Sequence, residues 1–230
     1  MKIPIFVALD VDCKNEALTL AKKVAPYVGG FKLGPRLLIK YGESIIQEVA
    51  KLGEVFVDNK YHDIPSTVYS AVQSTFDAGA TYVTIHASNG HECLKKLAQL
   101  ERELNKQRFF KILVVTVLTS FDENNKPSNW QDKPLSDQVY DLAREAFSAG
   151  LSGIVCSGVE VKSLKEKFPQ GFFVTPGIRL AENSADDQKR ILTPGEAIRR
   201  GASALVVGRP IVKAQQPEEA ASRFAQAISM

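Results

Sequence analysis

The sequence has few cysteines, very little tryptophan or methionine, and no long apolar run. Its 230 residues include three cysteines, two methionines and one tryptophan. An odd number of cysteines with no C-x-x-C pair fits neither a disulfide framework nor a zinc ribbon. The apolar run near the N-terminus, residues 3–9, contains Pro4 and stops at Asp10, so it is too short for a signal peptide or a membrane span. We therefore expect a cytoplasmic protein that contacts no membrane.

The net charge is also small, because 29 lysines and arginines are nearly balanced by 26 aspartates and glutamates, which gives a formal net charge of +3 at pH 7. No run of lysine and arginine exceeds two residues, which argues against a nucleic-acid partner. We therefore expect any anionic partner to be a small molecule. Hydrophobic residues make up 44% and charged residues 24%, which excludes a disordered or collagen-like chain. The length predicts a single domain over residues 1–230.

Short apolar, β-branched runs alternate along the chain with stretches of helical periodicity, and this alternation occurs eight times. The predicted strands are 5–9, 30–33, 55–57, 82–85, 111–118, 153–156, 172–174 and 204–207, and the predicted helices are 16–28, 37–52, 66–78, 92–104, 135–149, 161–168, 194–200 and 217–228. The pattern favours an α/β fold of the (β/α)8 TIM barrel type. A doubly wound open sheet is the alternative, but it favours G-x-G-x-x-G after the first strand, where D-V-D stands.

Charged residues mark the carboxyl ends of the first three strands, where barrel enzymes carry their active sites. Asp10 ends the first strand, Lys32 lies within the second, and Asp58, Lys60 and Asp63 follow the third. Asp58 and Lys60 are two residues apart on an extended segment, so both should face the barrel mouth. A lysine within an apolar strand is costly to bury unless it is paired or used. Each charge alone could be a surface group or a structural ion pair, but five together predict a catalytic site.

Glycine and arginine occur together after the seventh and eighth strands, as T-P-G-I-R at 175–179 and G-R-P at 208–210. Barrels often bind phosphate with these two loops, because glycine lets backbone N–H groups approach and arginine supplies a charged fork. Alternatively, the glycines of these loops could be ordinary turn residues and the arginines could lie on the surface without binding a ligand. The two loops predict a phosphorylated ligand.

Three further rim residues are weaker candidates. Thr119 and Ser157 follow the fifth and sixth strands and could hydrogen-bond a base or a carbonyl, or could cap a turn. His86 ends the fourth strand and could ligate a metal with Asp58 and Asp10, but their spacing is no metal motif. A rim histidine with a satisfied hydrogen bond is the favoured interpretation of His86.

Several motifs together carry a family resemblance. The segment D-N-K-Y-H-D-I-P at 58–65, with A-L-D at 8–10, F-K-L-G at 31–34 and the two glycine-arginine loops, resembles the orotidine 5′-phosphate decarboxylase family over nearly the whole chain. D-x-K-x-x-D alone is shared with related sugar-phosphate decarboxylases, whereas the combination is specific. The resemblance implies a homodimeric barrel, free of cofactor and metal, that converts orotidine 5′-phosphate to UMP and carbon dioxide in the last step of de novo pyrimidine synthesis.

The resemblance also implies roles for individual residues. Lys60 would donate a proton to ring carbon six beside Asp58, while Lys32 and Asp10 would contact the ribose hydroxyls or hold the charge network. The loop 180–187 would act as a lid over the site. The remaining implied contacts are Asp63, Ile64 and Thr67 reaching into the partner subunit's site, Thr119 and Ser157 at the pyrimidine, Gln188 between this lid and the phosphate, Arg179, Gly208 and Arg209 at the phosphate, and Pro176 in the substrate site.

Two other functions remain open on the sequence. A keto-gulonate or hexulose phosphate decarboxylase or synthase of the same superfamily would need magnesium at the Asp58 rim. A non-catalytic barrel that binds a phosphorylated ligand would explain Arg179 and Arg209, but it would leave the cluster of Lys32, Asp58 and Lys60 without a purpose.

Overall fold

The computed structural model describes residues 3–130, 133–180 and 192–228. Eight parallel strands follow one another around a closed barrel, and the first strand pairs with both the second and the eighth. The strands are β1 (Ile5–Ala8), β2 (Gly30–Leu33), β3 (Glu54–Tyr61), β4 (Tyr82–His86), β5 (Lys111–Val115), β6 (Gly153–Val155), β7 (Phe172–Thr175) and β8 (Ala204–Val207). The predicted (β/α)8 barrel is confirmed.

Helices connect the strands around the outside of the barrel. They are α1 (Lys14–Val24), α2 (Pro35–Ala50), α3 (Pro65–Asp77), α4 (His91–Leu104), α5 (Leu135–Ser148), α6 (Val161–Lys167), α7 (Pro194–Arg199), α8 (Arg209–Val212) and α9 (Pro217–Gln226). The short α8 is not among the eight predicted helices, but it begins one residue after β8 and has Pro210 in its first turn, the place expected for this proline. In the described ranges, no helix combines the length and apolar character that crossing a membrane requires.

Three predicted boundaries were wrong by three or four residues, whereas the other ends of the predicted elements lie within two residues of the observed ones. The first helix ends at Val24 and a 3-10 turn, Ala25–Tyr27, follows, because Pro26 cannot continue the α-helical hydrogen bonding. Strand β3 extends beyond residue 57, because it pairs again with β4 after an irregularity. Strand β5 stops before residue 118, since its ladders to both neighbours end at Val115.

The interior of the barrel is apolar at its amino-terminal end. Every second strand residue points inward, and an aromatic group of Phe6, Phe56 and Tyr82 fills this end with ring centroids between 5.1 and 6.4 Å apart. A separate and larger apolar layer lies between the strands and the helices. The aromatic group closes one end of the barrel, so the inward positions two residues further along each strand form the opposite end.

Gly30 makes room for the interior aromatic group. A Cβ at Gly30 would overlap the carbonyl oxygen of Glu54 and lie 2.8 Å from Cε1 of Phe6. Gly153 is in the same situation, because a Cβ there would lie 2.9 Å from Cδ2 of Leu113. Glycine at these positions therefore lets adjacent strands approach closely around large inward side chains.

We predict that Gly30→Ala lowers the free energy of unfolding by about 3 kcal/mol, because backbone and ring must both shift to admit the methyl group. Urea denaturation measures the change. Gly34→Ala is the control: its Cβ would meet nothing closer than 3.7 Å, and the change should cost less than about 1 kcal/mol, the scale of a helix-cap substitution. Equal losses in the two variants would contradict the packing argument.

Candidate active site

A chain of alternating charges crosses the mouth of the barrel. Nζ of Lys60 lies 2.9 Å from Oδ1 of Asp58, and Nζ of Lys32 lies 3.3 Å from Oδ2 of the same carboxylate. Lys32 also faces Asp10, with 3.6 Å between its Nζ and Oδ1 of Asp10. The structure thus brings together four predicted site residues from β1, β2 and β3, in the order acid, base, acid, base.

The local geometry of β3 places Lys60 in this chain. The pairing of β3 with β4 shifts register between Val57 and Tyr61, which is a bulge. Within it, Lys60 has a φ of 48°, and it is the one non-glycine residue with positive φ in the described ranges. Its backbone N–H donates to Oγ1 of Thr84 at 2.9 Å instead of to a strand carbonyl. Asp58 and Lys60 meet as predicted, but through a bulge and not a regular strand.

Asp58 is ionised although it is largely buried. Burial raises the pKa of its carboxyl group, but Lys32 and Lys60, together with hydrogen bonds from Lys60 and Thr84, outweigh that effect and hold the pKa below its ordinary value. Thr84 donates to Oδ1 of Asp58 at 3.0 Å. The carboxylate therefore stays negative at neutral pH and can orient both lysines.

His86 lies at the end of β4 beside Lys60. Burial, the neighbouring His62 ring at 5.4 Å between centroids, and Lys60 all lower the pKa of His86. Its Nδ1 accepts the backbone N–H of Ser88 at 3.2 Å, which is the satisfied rim histidine favoured by the sequence. Over the ranges that the structure describes, no three His, Cys, Asp or Glu side chains are grouped as metal ligands, so His86 does not join Asp58 and Asp10 in such a set.

A cavity of about 190 Å³ opens beside the charge chain. One side is ionic and the rest is mainly apolar, and the lining includes the predicted Thr119 and Pro176. The lining residues are Lys32, Phe56, Asp58, Lys60, Val115, Val117, Leu118, Thr119, Val155, Cys156, Pro176 and Val206. The cavity is therefore suited to a small, largely apolar group with the charged residues at one side of it.

Ser157 follows the cavity-lining Cys156. It is buried, and its Oγ has no hydrogen-bond partner among the described residues. Its backbone N–H donates to Oε2 of Glu160 at 2.9 Å. Burial and the nearby Glu160 carboxylate raise the pKa of the Cys156 thiol, so this cysteine is neutral and no nucleophile. Ser157 is not among the described residues that line the cavity, so ligand binding by its hydroxyl stays a prediction.

The predicted phosphate loops lie at the same end of the barrel. A Cβ at Gly208 would lie 4.0 Å from Oδ2 of Asp10, and Arg209 follows as the first residue of α8. Arg179 is buried: its Nη1 donates to the carbonyl of Ile178 at 2.9 Å, and its backbone N–H donates to Leu192 at 3.0 Å. Gln188 lies outside the described residues. Phosphate binding by these groups stays a prediction.

The segment after β3 is exposed at the start of α3. Asp63, Ile64 and Thr67 are exposed at the start of α3, and Oδ1 of Asp63 accepts the backbone N–H of Ile64 at 2.6 Å. Asn89 supports this segment, since its side chain donates to the carbonyl of Tyr61 at 2.9 Å and accepts from the N–H of Asp63 at 3.3 Å. In the described parts of the chain, Asp63 forms no ion pair with Lys32 or Lys60.

Comparison with known proteins identifies the family. Residues 4–224 match the model of the Orotidine 5′-phosphate decarboxylase / HUMPS family. The chain belongs to this family. Proteins named orotidine 5′-phosphate decarboxylase from Sphingopyxis alaskensis and Dichelobacter nodosus are 44% and 43% identical to it, over 96% and 94% of this chain and 97% and 95% of theirs. The crystal structure of orotidine 5′-phosphate decarboxylase from Lactobacillus acidophilus superposes with a TM-score of 0.85, at 32% identity over 99% of both chains.

One residue at this site was missed by sequence reasoning. Thr84 contacts both Asp58 and Lys60. The signal for Thr84 was present: it stands two residues after Tyr82 and two before His86, so alternation places it on the inward face. Thr84 was overlooked because its short polar side chain does not interrupt an apolar strand pattern.

Proposed function

We propose that this enzyme converts orotidine 5′-phosphate to UMP and carbon dioxide, the cytoplasmic last step of de novo pyrimidine synthesis. The observation that carries the proposal is the carboxylate of Asp58, held between the ammonium groups of Lys32 and Lys60 at the edge of an apolar cavity. The relatives named above support the same reaction.

The chemistry calls for a cation next to a carbon atom. Loss of carbon dioxide leaves an electron pair on ring carbon six of the pyrimidine, and the ring offers no electron sink for it. A site must therefore stabilise negative charge at that carbon and supply a proton there. Lys60 lines the cavity and is suited to both tasks. The C–C bond to the carboxylate breaks, carbon dioxide leaves, and the proton of the Lys60 ammonium forms the new C–H bond.

Asp58 orients the proton donor in this proposal. Its Oδ1 lies 2.9 Å from Nζ of Lys60, so the ion pair holds the ammonium at one point on the cavity wall. Lys32 holds the other carboxylate oxygen and is in turn faced by Asp10. Repulsion between Asp58 and the substrate carboxylate could add ground-state destabilisation, but orientation and transition-state stabilisation account for the arrangement without it. Lys32 and Asp10 also contact the ribose hydroxyls.

The cavity receives the pyrimidine ring. An apolar protein cavity of about 150 Å³ holds a benzene molecule, so the volume of about 190 Å³ here suits a six-membered ring. Thr119, Ser157 and Pro176 border the ring, and the free hydroxyl of Ser157 would bond one of its polar atoms. Arg179, Gln188, Gly208 and Arg209 bind the phosphate, whose binding energy assists a reaction that the phosphate does not touch.

The reaction needs neither metal nor cofactor in this proposal. Both oxygens of Asp58 already face ammonium groups, which repel a divalent cation. We predict that the purified enzyme releases carbon dioxide from orotidine 5′-phosphate at an unchanged rate in excess EDTA. Activity that disappears in EDTA and returns with magnesium would favour the magnesium-dependent sugar-phosphate enzymes of the same superfamily.

We predict that Lys60→Ala abolishes nearly all turnover while folding and nucleotide binding persist, because the variant loses its proton donor but no core packing. Steady-state kinetics and thermal unfolding measure the two effects. Lys51→Ala, at the exposed end of α2, is the control and should retain wild-type activity. A Lys60→Ala enzyme within tenfold of the wild-type kcat, about 1.4 kcal/mol of barrier, would rule out proton donation by Lys60.

We further propose that two copies of the chain form a dimer with shared active sites, in which Asp63, Ile64 and Thr67 of each subunit complete the site of its partner. These residues are exposed close to the barrel mouth, and 64% of Ile64 is exposed. Because they are exposed, these residues are accessible to a second copy of the chain.

Mixing two inactive variants tests the shared site. Lys60→Ala and Asp63→Asn chains, combined equally under conditions of subunit exchange, should pair at random, so that about half of the dimers are mixed. Each mixed dimer has one doubly altered site and one site with both residues intact, so activity should return to about a quarter of wild type. Absence of recovery, despite exchange demonstrated by mass spectrometry, would place Asp63 in the site of its own chain.

A further inference from the structure

Thr84 forms a polar bridge beneath the charge chain. It lies on the inward face of β4 and is completely buried. The backbone N–H of Lys60 donates to its Oγ1 at 2.9 Å, and the same oxygen lies 3.0 Å from Oδ1 of Asp58 and 3.5 Å from the carbonyl of Val57. An amide N–H can only donate, so the hydroxyl accepts there and has one proton left to give. The shorter contact and the negative charge assign that proton to Asp58.

The first end of this bridge supports the bulge in β3. The positive φ of Lys60 takes its N–H out of the regular ladder with β4, and a buried N–H without a partner is costly. The hydroxyl of Thr84 takes the place of the missing strand carbonyl. It therefore stabilises the backbone conformation from which the Lys60 side chain reaches Asp58.

The second end of the bridge fixes the carboxylate. Oδ1 of Asp58 accepts from Nζ of Lys60 at 2.9 Å and from Thr84, while Oδ2 faces Lys32. Without Thr84, the carboxylate keeps only its two lysine partners, whose flexible side chains can follow it as it rotates. All three partners stand on strands, but the short side chain of Thr84 holds its hydroxyl closer to the backbone than the lysine side chains hold their ammonium groups.

We propose that Thr84 is a positioning residue that sets the relative geometry of Asp58 and Lys60 from beneath the site. It acts through these two residues, because the cavity lining within the described residues does not include Thr84. The proposal rests on the function proposed above.

Two matched pairs of side chains isolate the hydroxyl. Thr84→Val removes it at nearly constant shape, while Thr84→Ser retains it and Thr84→Ala provides the hydroxyl-free counterpart of serine. Thr116→Val is the control, since Thr116 is equally buried just beyond β5 and its Oγ1 donates to the carbonyl of Val155 at 3.3 Å. The neighbouring Val115 and Val117 line the cavity, so alternation turns Thr116 away from it.

Loss of the hydroxyl should change the chemical step and its pH dependence. We expect kcat of Thr84→Val to fall about tenfold or more with KM within about twofold, because ligand contacts are intact but the donor is misaligned. The charged and titratable groups around Asp58 are Lys32 on β2, Lys60 on β3, Asp10 beyond β1, and His86 on β4 next to Lys60. None of these groups is altered in Thr84→Val, so a shift of the acid limb in the pH profile of kcat/KM would result from loss of the Thr84 hydroxyl.

The direction of that shift follows from the hydrogen bond. Thr84 stabilises the ionised carboxylate of Asp58, so its removal raises the pKa of that group, and the acid limb moves to higher pH. Thr84→Ser should restore kcat to within about threefold of wild type together with the original pH profile, and Thr116→Val should change neither. Thr84→Val with kcat and acid limb equal to those of wild type would overturn the proposal.

Two further measurements keep the test decisive. If Thr84→Val does not fold, the Ser and Ala variants carry the comparison, and equal activity in those two would overturn the proposal. If wild-type enzyme does not turn over orotidine 5′-phosphate, the proposed function fails separately. The carboxyl titration of Asp58, followed by 13C NMR, then decides for Thr84: a higher pKa in Thr84→Ala than in Thr84→Ser supports the bridge, and equal values refute it.

Discussion

The ionised carboxylate of Asp58, buried in the mouth of a barrel, is the group on which the rest of the site depends. Taking a carboxylate out of water costs several kcal/mol unless charged or hydrogen-bonding partners replace the solvent. Lys32, Lys60 and Thr84 supply those partners from three adjacent strands. Lys32 depends on Asp58 as well, because a lysine at an inward strand position would otherwise be a largely buried cation with only the more distant Asp10 beside it. The ionised state of Asp58 therefore depends on the side chains that the adjacent strands place around it.

Alternation along the strands divides the barrel interior into two levels. Phe6, Phe56 and Tyr82 form the apolar level, and the inward positions that follow them on the same strands continue into the polar one. Asp58 stands two residues after Phe56, and Thr84 stands two residues after Tyr82. A packed aromatic group thus lies below the charges and limits the movement of the site.

The bulge in β3 shows how local strain can serve a functional geometry. A positive φ at a residue with a side chain costs about 1–2 kcal/mol, and Lys60 is held there by its contacts with Thr84 and Asp58. Strain of this kind persists where surrounding structure enforces it, and it is concentrated at functional sites. Its position at the proposed proton donor is consistent with that pattern.

The amino-acid sequence alone was sufficient for the fold and for most of the charge chain. Eight apolar runs with intervening helical periods predict the barrel, because that pattern reflects burial of each strand on both faces. The position of Asp10, Lys32, Asp58 and Lys60 at strand ends predicts that they meet, because a barrel brings all of these ends to one rim. These conclusions depend on local periodicity and on a topology with few alternatives.

Tertiary structure alone decided the pairings and the boundaries. The positive φ of Lys60, the register shift in β3 and the bridge from Thr84 depend on how two strands pair, and strand pairing joins residues 24 or more positions apart. Likewise, Arg179 proved buried and Ile64 exposed, although both stand in motifs that look equally functional in the sequence. Residue types and spacing determine which side chains reach the rim, whereas the packing of neighbouring strands and loops determines which atoms meet there.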